Sequence, residues 1–302
     1  MRSVPVQLAL AVGGPGLISL AEAGVVAEAA ERAGVAAIRL ADRSPHGTAL
    51  DPAVVAAYLA GRTSGVGYLP VLPTRGNPPF TAARRLLSLD TATGGRSGAV
   101  LRPADQGGAD PETRWIEYAR VLSGLWAAFP GDGRPDGPVL VADLGPLGVS
   151  ALAPVADVVV VDLTHAAGAD AVLTQALRLA GRARGEVALL GRVRVARNGA
   201  GAGFAARLRA WVDEHLLDGV ELAVDGGVDE ILAALRALAA RPVAPDLRAA
   251  FELRAAASPT PVPGVRGIGS GVRSGLTSRH ANPSISGRLV DRPGHRSLGA
   301  LR

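Results

Sequence analysis

The sequence predicts an α/β fold, a (β/α)8 TIM barrel with a disordered C-terminal tail, on three observations. Eight short β-branched or apolar runs punctuate the chain, and each is followed by a longer Ala/Leu/Arg-rich stretch of helical character. That alternation is what βα units around a parallel sheet produce, and eight such units close a barrel. The glycines after the first run, Gly13-Gly14-Pro15-Gly16, lack the Gly-x-Gly-x-x-Gly spacing of an open nucleotide-binding sheet, and a proline stands where a backbone donor would be wanted.

Taken in order, the first run is residues 4–12, VPVQLALAV. It is short, is broken by Gln7, and runs into glycines with no small-x-small cleavage site, so it reads as a buried strand rather than a signal sequence. A helix is expected over 20–33, opened by Ser19 and Glu22 in capping-box spacing. The next run, 35–41, precedes a helix over 52–62, and 66–72 precedes one over 79–93 that glycines close. The remaining pairs of run and helix are 97–101 with 112–129, 139–142 with 147–154, 157–161 with 169–182, 187–195 with 202–217, and 220–224 with 228–240.

From 258 to 302 the composition changes to Gly, Ser, Pro and Arg without apolar periodicity, a segment that cannot bury enough surface to offset its ordering entropy. The division is therefore a barrel domain over 1–257 and a tail over 258–302. Charge divides at the same point. The chain carries +5; the tail holds seven arginines against Asp291, a balance of +6, which leaves residues 1–257 at −1. Specific nucleic-acid binding is not expected of a near-neutral barrel with 3% aromatic residues. The absence of cysteine excludes disulfides, thiolate nucleophiles and Cys-zinc sites, and the absence of lysine excludes Schiff-base and P-loop chemistry. No apolar stretch reaches membrane-spanning length, and a cytoplasmic protein is expected.

One stretch carries more than fold. From Asn77 to Gly98 the chain reads NPPFTAARRLLSLDTATGGRSG, a helix with adjacent arginines leading into a Gly-Gly-Arg turn and a new strand. Ala83, Arg84, Arg85, Ser88, Leu89, Asp90, Gly94, Gly95, Arg96 and Gly98 stand in the order and spacing of the luciferase-like flavin monooxygenases, and the sequence resembles the nitrilotriacetate-monooxygenase type in particular. Ala36–Asp42 looks like that family's strand ending in L-A-D, Gly124-Leu125-Trp126 like its G-L-W helix end, and residues 138–160 like its phosphate-loop region. The resemblance implies an oxidoreductase or monooxygenase that holds FMN, or a deazaflavin, in the barrel mouth and acts on a small organic substrate. The expected partners are that substrate, a separate flavin reductase and further copies of the chain in a homo-oligomer, with no membrane.

A barrel places its site at the C-terminal ends of the strands. By that rule and the resemblance, the cofactor-binding candidates are Asp42, which ends the L-A-D strand; Thr74 and Asn77, where the family has a polar loop beside the flavin ring; Arg102; and Gly145 in the phosphate loop. Asp143, Asp162, His165 and Arg194 are further strand-end groups. Departures from the family are equally visible. Gly98-Ala99-Val100 replaces its G-W-N strand, and Asp143-Leu144-Gly145-Pro146 offers a carboxylate and a proline where small residues and serine would bind phosphate. FMN is therefore expected to be weakly held or lost. Two other readings stand beside this one: a catalytically silent luciferase-like paralogue serving as a binding module, and a phosphate-binding epimerase-like barrel, suggested by Val224-Asp225-Gly226-Gly227.

Overall fold

A computed structural model describes residues 4–103, 110–128, 137–238, 242 and 244–254. The tail lies outside the described residues. Eight parallel strands close in sequence order: β1 Val6–Leu10, β2 Ala37–Leu40, β3 Gly67–Pro73, β4 Gly98–Arg102, β5 Val139–Asp143, β6 Val158–Asp162, β7 Ala188–Val195 and β8 Gly219–Val224, with β8 pairing β1. The expected (β/α)8 barrel is the observed one.

The helices between them are α1 Leu20–Arg32, α2 Pro52–Ala60, α3 Pro79–Thr93, α4 Pro111–Ala128, α5 Val149–Leu152, α6 Ala169–Leu179, α7 Phe204–His215 and α8 Val228–Arg236. Ser19 and Glu22 form the expected capping box on α1. Several helices stop earlier than their composition suggests because the backbone turns left-handed. Gly181 takes φ +73° after α6, and Leu216 takes φ 54° after α7. The expected helix over 147–154 contracts to the single turn of α5, which starts at Gly148 with no side-chain cap. A further short helix, α9 Leu247–Ala250, falls where no element was expected.

Alternation along the strands sorts the interior into two cores. Residues facing the helices, such as Leu8, Ile38, Tyr68, Leu101, Val159 and Leu222, pack with the apolar faces of α1–α8. Residues facing the barrel axis, including Ala37, Leu69, Val100, Val141, Val160 and Leu190, form a second cluster with Leu247 and Phe251 of the α9 segment. That segment is fixed by Leu247 N–H donating to Gly95 O at 2.9 Å and Arg254 N–H to Gly185 O at 2.9 Å. A Cβ added at Gly67 would come within 2.5 Å of Leu247 Cδ1, so a larger residue there would displace the Leu247 side chain.

The Gly-Gly-Arg turn has the same structural character. Gly94 and Gly95 are left-handed, with φ of 66° and 85°; the Asp90 carboxylate, 5% exposed, accepts from Ser97 N–H, and Arg96 donates to Val66 O at 2.8 Å. The most distinctive motif of the sequence therefore closes α3 and launches β4.

Candidate functional site in the barrel mouth

The axis-facing residues change character toward the C-terminal ends of the strands. On β2, Arg39 follows Ala37 in the inward register; on β5, Asp143 follows Val141; on β7, Arg192 follows Leu190; on β8, Glu221 follows Gly219. These four charges meet. Arg39 clamps Asp143 with two bonds, Nη1 to Oδ1 at 2.7 Å and Nη2 to Oδ2 at 2.6 Å. Arg192 donates from Nη2 to Asp143 Oδ1 at 2.7 Å and from Nε to Glu221 Oε1 at 2.5 Å. Arg39 also reaches Glu221 Oε2 at 3.3 Å, and Gln7 of β1 donates its amide to the same oxygen. Two guanidiniums and two carboxylates thus form a self-neutral floor across the barrel. Burial pushes the Asp143 carboxyl up, but the guanidiniums of Arg39 and Arg192 more than reverse this and hold it below the usual carboxylate range. Burial disfavours the charge on Arg39 as well, and Glu221 and Asp143 outweigh it, so both arginines stay charged.

This corrects the expectation that Asp143 turns its carboxylate toward a phosphate loop: it faces the barrel axis between two arginines. Arg39, Arg192, Glu221 and Gln7 escaped a search confined to strand-end loops. Their signal was a polar residue at inward parity inside otherwise apolar runs such as GRVRV and GVELAV.

Above this floor the structure brings two of the predicted residues together. Arg102, the last residue of β4, donates to Asp42 from Nη2 at 2.5 Å and from Nε at 3.3 Å, with both side chains largely buried. Asn77 folds back to donate to Pro73 O at 3.0 Å, and Thr74 joins β4 through its N–H to Arg102 O at 3.0 Å. Asp42 and Asn77 border a cavity of about 260 Å³ between the β2–α2 connection, β3 and α3, walled by Leu50, Pro70, Leu72, Pro73 and Leu86. Gly145 stands apart from them, exposed, at φ +132° on the β5–α5 loop.

Two helix starts, those of α5 and α8, have the chain's own carboxylates beside them. A Cβ at Gly148, ahead of α5, would lie 2.9 Å from Glu112 Oε1. At α8, Gly227 N–H donates to Glu230 Oε2 at 2.9 Å, which fills the amide that the epimerase-like reading would assign to phosphate. Among the described residues no group of three or more His, Cys, Asp or Glu is placed to hold a metal ion. No described helix is long and apolar enough to cross a membrane.

The described strands and helices define a (β/α)8 barrel. No family model matches the sequence, and no curated protein matches it. Solved structures with this fold include EDTA monooxygenase (EmoA) from Chelativorans sp. BNC1, at 16% identity and TM-score 0.66 over 84% of this chain and 99% of that one. Riboflavin lyase (RcaE), solved with modified FMN and riboflavin, aligns at 15% identity and TM-score 0.66 over 83% of this chain and 96% of its own. The coenzyme F420-dependent tetrahydromethanopterin reductase from Methanopyrus kandleri aligns at 15% identity and TM-score 0.53, over 83% and 97%.

Proposed function

We propose that this chain is a divergent luciferase-like flavin-dependent oxidoreductase or monooxygenase, cytoplasmic, acting on a small organic substrate in the barrel mouth. The observation that carries the reading is the cavity beside the Asp42–Arg102 pair, at the rim of the mouth between the β2–α2 connection and α3, where Asp51 and Arg85 also line it. Its apolar walls suit a flat ring, and Asp42 and Asn77 supply polar groups at its border. At about 260 Å³ it falls below the roughly 300–1,000 Å³ of pockets that enclose drug-sized ligands. It has room for a ring system and not for a whole dinucleotide-sized cofactor.

The residues present fit the ring end of a flavin and do not fit its phosphate at the β5–α5 loop. There the helix is one turn long, Pro146 lacks a donor, and Glu112 stands beside Gly148. FMN would accordingly be weakly held, and a deazaflavin is the other cofactor class the fold accommodates. When bound, either supplies hydride chemistry, and FMN also supplies oxygen activation. The chain's part is to orient the ring by its polar edge and to exclude water with Leu72 and Leu86. A separate reductase delivering reduced flavin and a homo-oligomeric assembly belong to the same proposal.

The test is the visible difference spectrum of protein mixed with FMN. A saturable change in the flavin band supports the reading. A spectrum equal to the sum of the separate components at millimolar FMN contradicts it and favours the silent binding module.

A further inference from the structure

We propose that Arg194, with the outward edge of Arg192 beneath it, is a subsite for an anionic group, carboxylate or phosphate, of a ligand in the barrel mouth. The inference rests on the barrel-mouth reading above and adds to it the charge of what is received there.

Four observations converge. First, alternation along β7 is unambiguous: Ala188 and Leu190 belong to the axis-facing cluster, whereas Val193 and Val195 pack against the helices. Arg192 and Arg194 therefore both point to the axis, two residues and about 7 Å apart along the strand. Second, Arg192 spends Nε on Glu221 and Nη2 on Asp143, while Nη1 bonds to no described residue and is not sealed from solvent. Its two N–H donors are not used by any described residue. Third, Arg194 is exposed and makes no ion pair or hydrogen bond with any described residue, although Asp162 ends β6 and Asp225 follows β8 on either side of it. Its cross-strand neighbour toward β8 is Ala223, so small side chains leave room above the charged floor. Fourth, the chain's own carboxylates already stand at two helix starts: Glu112 lies beside Gly148 ahead of α5, and Glu230 accepts from Gly227 N–H at α8. Guanidinium donors in fixed geometry are the groups best matched to a carboxylate or phosphate, and the floor beneath them is already neutralised.

The experiment follows the backbone amides of Arg192, Val193, Arg194, Val195 and Ala223 by NMR while sodium succinate or sodium phosphate is added at constant ionic strength. It is done on wild type and on Arg194→Met, and the dissociation constants of FMN and riboflavin are measured on both proteins. Because Arg194 makes no ion pair or hydrogen bond with any described residue, the variant should melt at the wild-type temperature, which separates binding from folding. The proposal expects a saturable shift at millimolar anion in wild type that is lost in Arg194→Met and partly restored in Arg194→Lys. If FMN also weakens by about tenfold or more in the variant while riboflavin is unchanged, the anion is the flavin phosphate. If both flavins are unchanged, it belongs to the substrate. Absence of a saturable shift with either anion in wild type, or a shift that survives in Arg194→Met, overturns the subsite. A lost shift with no binding of either flavin keeps the subsite and removes the flavin reading.

Discussion

The lower and upper halves of this barrel use the same eight strands and the same alternation, yet one is dry and the other charged. Below, Ala37, Leu69, Val100, Val141, Val160 and Leu190 meet Leu247 and Phe251 in a closed apolar plug. Above, the next inward positions on β2, β5 and β7 are Arg39, Asp143 and Arg192, which meet Glu221 of β8, and the Asp42–Arg102 pair stands beside them. The difference shows how a barrel divides its labour. The end that α9 covers supplies cohesion, and the end where the strands finish supplies polarity for a ligand. Buried ion pairs are weak sources of net stability, because desolvation consumes most of their attraction. Four such charges on the inward face of the strands are better explained by what they present to the mouth than by what they add to folding.

That division can be broken from either side. The largest effect is expected below. Phe251→Ala removes a side chain that is 1% exposed from the plug, and by the usual cost of emptying an aromatic core position it should lose about 4 kcal/mol in urea unfolding. A loss under about 1 kcal/mol would mean that the α9 segment does not close the barrel.

Above, Asp143→Ser strands two arginines that share its carboxylate, and breaking a buried pair by removing one partner costs about 3 kcal/mol. An unchanged unfolding midpoint would show that the floor is not assembled as described.

The same residue gives a pH signature. Its folded pKa is depressed, by guanidiniums that overcome the opposing effect of burial. Its contribution is therefore fully present above the unfolded carboxylate value of about 3.9 and is lost as pH falls through the lower folded value. Thermal melts between pH 7 and 3 should show a steeper acid loss in wild type than in Asp143→Ser. Parallel curves would contradict the assignment.

A smaller effect is expected at the edge of the cavity. Asp51 caps α2 by accepting from Ala53 N–H at 2.9 Å and Val54 N–H at 3.1 Å, so Asp51→Ala should cost about 1 kcal/mol. A neutral result would mean that the cap is solvated rather than bonded.

Sequence and structure agree best where periodicity is strong. The apolar runs fixed the strand count and closure, because eight βα units leave few other ways to bury eight strands. The end of α7 was illegible because Leu216, not a glycine, adopts the left-handed turn. The α9 segment was illegible because its anchors, Gly95 and Gly185, lie more than 60 residues away in sequence. At the site, Asp42 and Arg102 were named separately, and only the fold shows that they pair across 60 positions. The charged floor was missed for a physical reason. A strand-end rule looks in loops, whereas Arg39, Arg192 and Glu221 sit within strands whose remaining residues are apolar.

In the proposed function the barrel rim binds a flavin by its ring, at the cavity bordered by Asp42 and Asn77, without a phosphate cradle at the β5–α5 loop. The most direct measurement is the dissociation constant of FMN for wild type and for Asn77→Ala, side by side, by quenching of flavin fluorescence. The account predicts a wild-type value in the micromolar range or weaker, since one or two missing charge-assisted contacts of roughly 1.5–3 kcal/mol each remove about one to four orders of magnitude. It predicts a further weakening of about tenfold in the variant. Nanomolar FMN, no binding at millimolar FMN, or equal constants in the two proteins would contradict it.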